Sequence, residues 1–122
     1  MIHSRAENQN GFTLIELLIV TAIIGLLATL TISYYTQYKE RAYDVEAKSN
    51  LKSLWLTCNL YWHDNKSTST CTIAAVSTTS YGFETASDVT LSGQGTETTF
   101  SGTASHIESP TTFAINAAGN LS

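Results

Sequence analysis

The chain has 122 residues, enough for one small domain with a modest core and little more. Six Lys and Arg residues against ten Asp and Glu residues give a formal net charge of −4. This balance argues against a protein that binds nucleic acid through a broad basic surface.

An almost uninterrupted apolar run occupies residues 12–32 and contains one charged side chain, Glu16. In a helix that rises about 1.5 Å per residue, this run would cross a hydrocarbon layer of roughly 30 Å. A carboxylate in such a layer costs on the order of 2.5–3.5 kcal/mol on insertion scales. We therefore expect a membrane-spanning or equally dry helix in which Glu16 has a partner, or reaches the lipid headgroups.

A specific motif opens this run. Residues 11–16 read GFTLIE, and residues 17–28 continue as LLIVTAIIGLLA. Together they closely resemble the class III signal and N-terminal helix of type IV pilins and pseudopilins. The resemblance implies that a prepilin peptidase cuts between Gly11 and Phe12, that the new amino group of Phe12 is N-methylated, and that residues 1–11 are a leader peptide. It also implies that Glu16 meets the amino terminus at Phe12 of a neighbouring subunit during assembly.

An ordinary secretory signal is the competing interpretation, because Arg5 precedes an apolar run. The run is longer than the usual signal core, it contains Glu16, and it has no clear small-x-small cleavage site before the ambiguous residues 28–30. The pilin resemblance is favoured over this alternative. It places the leader in the cytoplasm and the bulk of the chain outside.

Residues 34–66 are amphipathic and contain no proline or glycine, so the helix is expected to continue to about residue 64. Ser33 stands where many type IV pilins carry a proline, and we expect no obligatory break there. Glu40, Asp44, Lys48 and Lys52 are expected on a solvated face, with Asp44 and Lys48 as an i,i+4 pair. Apolar side chains that share the opposite helical face define a stripe: Ala47, Leu51, Leu54, Trp55, Cys58, Tyr61 and Trp62.

After residue 66 the composition shifts to Ser, Thr, Gly and small apolar residues. Turns are expected at residues 92–95 and 108–110, and a last short strand after residues 118–120. The predicted fold class is α+β, a long N-terminal helix packed on a small C-terminal antiparallel sheet as in pilins, with a disordered stalk as the alternative. Residues that alternate at period two mark the strands: Val89 and Leu91, then Phe100, Gly102 and Ala104, then Phe113 and Ile115.

The two cysteines, Cys58 and Cys71, predict a disulfide between the end of the helix and the start of the sheet region in an exported chain. A metal site that adds His63 and His106 is the alternative, but the spacing fits no standard zinc motif. No catalytic set is evident, since the abundant serines and threonines are typical of a polar surface. We therefore expect no enzyme, no cofactor and no metal. Residues 65–67 and 120–122 fit the N-glycosylation pattern, which is frequent by chance.

Four segments follow from this interpretation: a leader at residues 1–11, a transmembrane or filament-core helix at 12–33, the amphipathic half of the helix at 34–66, and a Ser/Thr-rich β region at 67–122. The resemblance implies the major subunit of a type IV pilus, processed by prepilin peptidase and polymerised into a helical filament for adhesion, motility or DNA uptake. A type II secretion pseudopilin or a minor pilin is the alternative within the family, and a membrane-anchored surface binding module is the alternative of another class.

The same resemblance implies the partners and the location. The expected partners are further copies of the chain, the prepilin peptidase and methyltransferase, and the pilus assembly machinery. The expected location is the inner membrane for the precursor and an extracellular filament after assembly.

Overall fold

The computed structural model describes residues 11–122, so the predicted leader lies outside the described residues except for Gly11. Helix α1 spans Leu14–Asp64 as one assigned helix, which agrees with the absence of proline at Ser33. Backbone contacts divide the chain into two compact units, one ending at Gln37 and one comprising Tyr38–Ser122. Each unit is described by itself below.

The first unit is an apolar helical segment whose large side chains contact little else in the chain. Their exposed fractions run from 50% at Val20 to 91% at Phe12. By length and composition, α1 contains a stretch able to cross a membrane. So much exposed apolar surface indicates a segment that is covered by lipid or by other protein chains.

Three threonine hydroxyls of this segment are satisfied within the helix. The hydroxyls of Thr21, Thr29 and Thr31 each donate to the backbone carbonyl three residues earlier, at 2.9, 2.7 and 3.0 Å. Such bonds leave no hydroxyl donor in need of water, a condition that a hydrocarbon environment imposes on polar groups. The three threonines are therefore compatible with a buried or membrane-embedded helix.

The second unit contains a four-stranded antiparallel sheet with its strands in chain order: β1 (Cys71–Thr72), β2 (Val89–Gly95), β3 (Ser101–His106) and β4 (Thr112–Ile115). A short helix, α2 (Ile73–Val76), follows the first strand. The predicted last short strand is present as a single bridge between Ile115 and Leu121.

The predicted turn at residues 92–95 is wrong, because β2 continues through all four residues. The chain reverses at residues 96–100 instead. Gly93 pairs with Gly102 on β3, and a Cβ placed on Gly93 would lie 2.8 Å from Cδ2 of Leu54. These glycines allow a close approach between the sheet and α1. Close approach of another segment is a common reason for glycine inside a strand.

The core lies between the inner face of the sheet and the predicted stripe of α1. Trp55 and Tyr61 pack at its margin and are half-buried. This packing confirms the α+β fold expected from the sequence. The buried members of the stripe are Ala47, Leu51, Leu54, Cys58 and Trp62. Opposite them on the sheet or its connections lie Val89, Phe100, Ala104 and Ile115.

Candidate assembly site

Thr13 and Glu16 close the N-terminus of α1 by two reciprocal hydrogen bonds. The backbone N–H of Thr13 donates to Oε2 of Glu16 at 3.1 Å, and the backbone N–H of Glu16 donates to Oγ1 of Thr13 at 3.2 Å. This arrangement is a capping box, in which a threonine and a glutamate three residues later satisfy two backbone donors. The carboxylate is thereby held at the positive end of the helix dipole, which stabilises a negative charge.

The family resemblance implies an intermolecular role for Glu16, and the capping box is a local role that was not expected from the sequence. The signal was available, because Thr13 stands three residues before Glu16 at the start of an apolar run. Among the described residues, only Oε2 of the carboxylate makes a hydrogen bond. Oε1 can therefore accept from a second donor while the capping box stays closed.

Gly11 and Phe12 lie before α1 and are exposed, Phe12 by 91%. A Cβ built on Gly11 would meet no atom within 4 Å. The peptide bond between the two residues is thus unhindered by the rest of the described chain. Cleavage at this bond would create a positive amino group at Phe12, one residue before the N–H of Thr13 that Glu16 accepts.

A pair of Thr13 variants tests the capping box. Thr13→Val has nearly the same shape but no acceptor oxygen, so it should lower helix stability by about 1 kcal/mol, whereas Thr13→Ser should change it little. The measurement is amide hydrogen exchange of residues 14–18 in the full chain in detergent micelles. Equal exchange rates in Thr13→Val and Thr13→Ser would contradict a capping role for the hydroxyl.

Cys58 and Cys71 form a disulfide, as predicted, and both are fully buried. The bond joins the last part of α1 to β1. Trp62 strengthens the same connection, because its Nε1 donates to the carbonyl of Ser69 at 2.9 Å. The metal alternative is wrong for these residues, since the two sulfurs are bonded to each other, and residues 11–122 contain no group of three metal-ligating side chains.

Removal of the disulfide should destabilise the globular unit without changing its fold. Replacing both Cys58 and Cys71 by alanine should cost about 3 kcal/mol, because the unfolded chain gains the freedom of an open loop. Thermal unfolding of the full chain in detergent, with and without reductant, measures this cost. The double variant should be insensitive to reductant, and an unchanged midpoint in reduced wild-type protein would contradict the prediction.

His106 is buried at the end of β3 and belongs to a structural network. Its Nε2 lies 3.2 Å from Oε2 of Glu46, its Nδ1 accepts from the backbone N–H of Glu108 at 3.0 Å, and its ring stacks on Tyr43 with centroids 4.3 Å apart. Both ring nitrogens are thus occupied by contacts that join α1 to the β3–β4 turn. This position explains the histidine without a metal or a reaction.

The predicted solvated face of α1 is wrong in part. Asp44 accepts from the hydroxyl of Ser109 at 2.6 Å, and Nζ of Lys48 lies 4.6 Å from the ring centroid of Phe113, so the expected pair between Asp44 and Lys48 is absent from the described chain. Lys52 is half-buried and donates to the carbonyl of Gly119 at 2.9 Å. The charged side chains next to the stripe therefore attach the C-terminal segments to α1.

Comparison with known proteins finds a family profile and several relatives that are similar to part of this chain. A family profile described as "Prokaryotic N-terminal methylation motif" matches residues 7–32. The type IV major pilin protein PilA of Myxococcus xanthus is 53% identical over 53 residues, which is 43% of this chain and 24% of PilA. The type IV major pilin protein PilE of Neisseria gonorrhoeae is 41% identical over 66 residues, which is 48% of this chain and 40% of PilE.

Secretion proteins show a similar likeness. The type II secretion system core protein G of Pseudomonas aeruginosa is 35% identical over 59 residues, which is 48% of this chain and 42% of that protein. The chain thus spans between about a quarter and two-fifths of the length of these relatives. Of these three relatives, PilA has the highest identity to this chain. In this chain, the apolar helix begins with a carboxylate that accepts a backbone hydrogen bond at the helix N-terminus.

Proposed function

We propose that this chain, which carries the N-terminal methylation motif of the type IV pilin and pseudopilin family, is the major structural subunit of a type IV pilus. One observation supports this most directly. The carboxylate of Glu16 is fixed at the beginning of an exposed apolar helix, next to the position where cleavage would create a positive charge. In an assembly of packed helices, this arrangement lets the carboxylate of one subunit pair with the positive amino group of its neighbour.

Processing comes first in this proposal. The prepilin peptidase removes residues 1–11, and the amino group of Phe12 is methylated. The apolar part of α1 holds the subunit in the inner membrane before assembly, with the globular unit outside. The exposure of Gly11 and Phe12 supports this step, because a protease must reach the peptide bond between them.

Assembly then buries two charges together. A carboxylate and an ammonium group are each costly in a dry environment, and their pairing offsets part of that cost. Only a subunit that enters in the register that brings Glu16 to Phe12 of its neighbour satisfies both groups. Head-to-tail contacts of this kind grow an open helical filament rather than a closed ring. The chain is thus a structural protein rather than an enzyme in this proposal.

A pseudopilin of a type II secretion system is the second candidate, since core protein G of three organisms is at least 35% identical to this chain over 59 residues. The two functions differ in abundance and product. A major pilin forms the bulk of surface filaments, whereas a pseudopilin serves secretion. A minor pilin would be present in few copies.

Deletion of the chain tests the proposal. Cells without it should lose surface filaments while secreting their type II substrates normally, and re-expression should restore the filaments. The chain should also be the main protein in filaments sheared from wild-type cells. Intact filaments combined with lost secretion would identify a pseudopilin and overturn the assignment as major pilin.

A further inference from the structure

The turn between β3 and β4 is held at its beginning by His106, the buried last residue of β3. Three consecutive backbone amides of this turn are hydrogen-bonded. The N–H of Ile107 donates to the carbonyl of Asp88 at 3.0 Å, and the N–H of Ser109 donates to the carbonyl of His106 at 3.0 Å. Between them, the N–H of Glu108 donates to Nδ1 of His106 at 3.0 Å. The middle amide therefore depends on a side chain that can take up a proton.

The bond from Glu108 determines where the proton of the histidine ring lies. A backbone N–H can only donate, so Nδ1 must accept, and the neutral ring carries its proton on Nε2. Nε2 lies 3.2 Å from Oε2 of Glu46, a carboxylate oxygen that can accept from it. A second proton has to bind to Nδ1, where the new N–H would point at the N–H of Glu108. The protonated ring is thus incompatible with this hydrogen bond.

The histidine ring is held more firmly than the turn. The side chain of His106 is buried, and its ring stacks on the phenol ring of Tyr43 with centroids 4.3 Å apart. In the turn, Ile107 is 65% exposed, and Glu108 and Pro110 are exposed as well. Exposed backbone with few packed side chains opens at low cost in free energy. Protonation should therefore move the turn rather than the ring.

The charged groups around His106 act on the added proton in opposite directions. Glu46 on α1 lies within ion-pair distance, and its negative charge favours the protonated ring. Asp44 on α1 is bonded to the far side of the same turn, and Asp88 and Glu108 lie next to the ring along the chain. Burial and the bond from Glu108 favour the neutral ring. The conformation of the turn is therefore coupled to the protonation of one side chain.

We propose that His106 is a proton sensor: the neutral ring holds the turn between β3 and β4 in one conformation, and protonation at Nδ1 releases it. Histidine is the side chain whose charge ordinarily changes between about pH 5 and 8. The contact with Glu46 remains after protonation as an ion pair, so β3 stays attached to α1 while the exposed turn changes shape. The proposal concerns a single chain and does not rest on the pilus assignment.

The test follows the amide of Glu108 by NMR of the full chain in detergent micelles between about pH 5 and 8. Its protection factor, which corrects for the intrinsic dependence of exchange on pH, should fall roughly threefold to tenfold towards acid, the effect of one lost hydrogen bond. The amides of Ile107 and Ser109 are internal controls, because they donate to carbonyl oxygens that do not titrate. Their protection should change less than that of Glu108.

His106→Asn removes the proton-binding nitrogen and keeps an acceptor. An asparagine Oδ1 can accept from the N–H two residues later at every pH, so the amide of Glu108 should become insensitive to pH. His63→Asn is the matched control and should respond like wild type, because the side chain of His63 is 86% exposed. Glu46→Gln should move the response to lower pH, since no carboxylate then favours the protonated ring.

Three results would each overturn the proposal. They are constant protection of Glu108 in wild type, a pH response that persists in His106→Asn, and a response of Glu46→Gln at the same pH as wild type. If His106→Asn does not fold, Glu46→Gln decides between the outcomes. All three results leave the pilus assignment intact, because filaments and secretion test that assignment.

Discussion

Replacing Glu16 by leucine should abolish filament growth while the precursor still enters the membrane. Loss of the carboxylate removes an insertion cost of about 2.5–3.5 kcal/mol, so anchoring should be unchanged or improved. Assembly should fail because the amino group of Phe12 in a neighbouring subunit would then be buried without a counter-charge. The measurements are the amount of chain in the membrane fraction and the yield of sheared filaments.

Glu16→Gln separates the two roles of this side chain. A glutamine amide can take the place of the carboxylate in a capping box, but it carries no charge to pair with an ammonium group. If charge pairing drives assembly, Glu16→Gln should fail as Glu16→Leu does. Thr21→Leu is a suitable control, because it makes the same helix more apolar and removes only a hydroxyl that bonds to its own helix. Normal filaments from Glu16→Gln would reduce the role of Glu16 to helix capping.

Replacing Leu51 by alanine should destabilise the globular unit by about 2–5 kcal/mol. Leu51 is fully buried, and its Cδ1 would lie 3.1 Å from a Cβ built on Gly102, so it fills space where α1 and the sheet approach each other closely. Removal of its isobutyl group leaves a cavity that neighbouring side chains fill only in part. The measurement is thermal or chemical unfolding of the full chain in detergent micelles.

Leu60→Ala is the matched control for this prediction. Leu60 lies on the same helix, but 51% of its surface is exposed. The same substitution should therefore change stability by no more than about 0.5 kcal/mol. Equal effects at Leu51 and Leu60 would contradict the placement of the core between the stripe and the sheet.

The sequence predicted α1 well because its signals are local. Uniform apolarity at residues 12–32, a period of 3.6 in the stripe and the absence of proline or glycine at residues 34–66 together give one helix, and the structure has it at Leu14–Asp64. The disulfide was also predictable, because only two cysteines are available and the chain is expected to be exported.

The parts that the sequence did not predict depend on contacts distant along the chain. The glycines at residues 93 and 95 indicated a turn. In the structure they lie in β2, where Gly93 allows α1 to approach closely and Gly95 allows the backbone of residues 99–100 to do so. Strand β1 has two residues and helix α2 has four, which is too short for either to show a period. The half-buried position of Lys52 follows from a carbonyl at Gly119, 67 residues away, which no local pattern contains.

The residues of the candidate site come from the sequence motif and stay a prediction, whereas the geometry around Glu16 comes from the structure. Gly11, Phe12 and Glu16 were recognised through a motif, and the structure places them within a short stretch at the start of α1. The capping box adds Thr13 to this set. We propose that the capping box positions the carboxylate before a neighbouring subunit arrives. Assembly then costs less conformational entropy, because a preorganised group loses less freedom on binding.

The most direct test of the proposed processing and assembly is mass spectrometry of the N-terminus of this chain in filaments sheared from the cell surface. The subunit should begin at Phe12, and its amino group should carry a methyl group. Filaments in which the chain still begins at Met1, or begins at a site after the apolar run, would contradict the proposed processing and with it the pairing between Glu16 and Phe12.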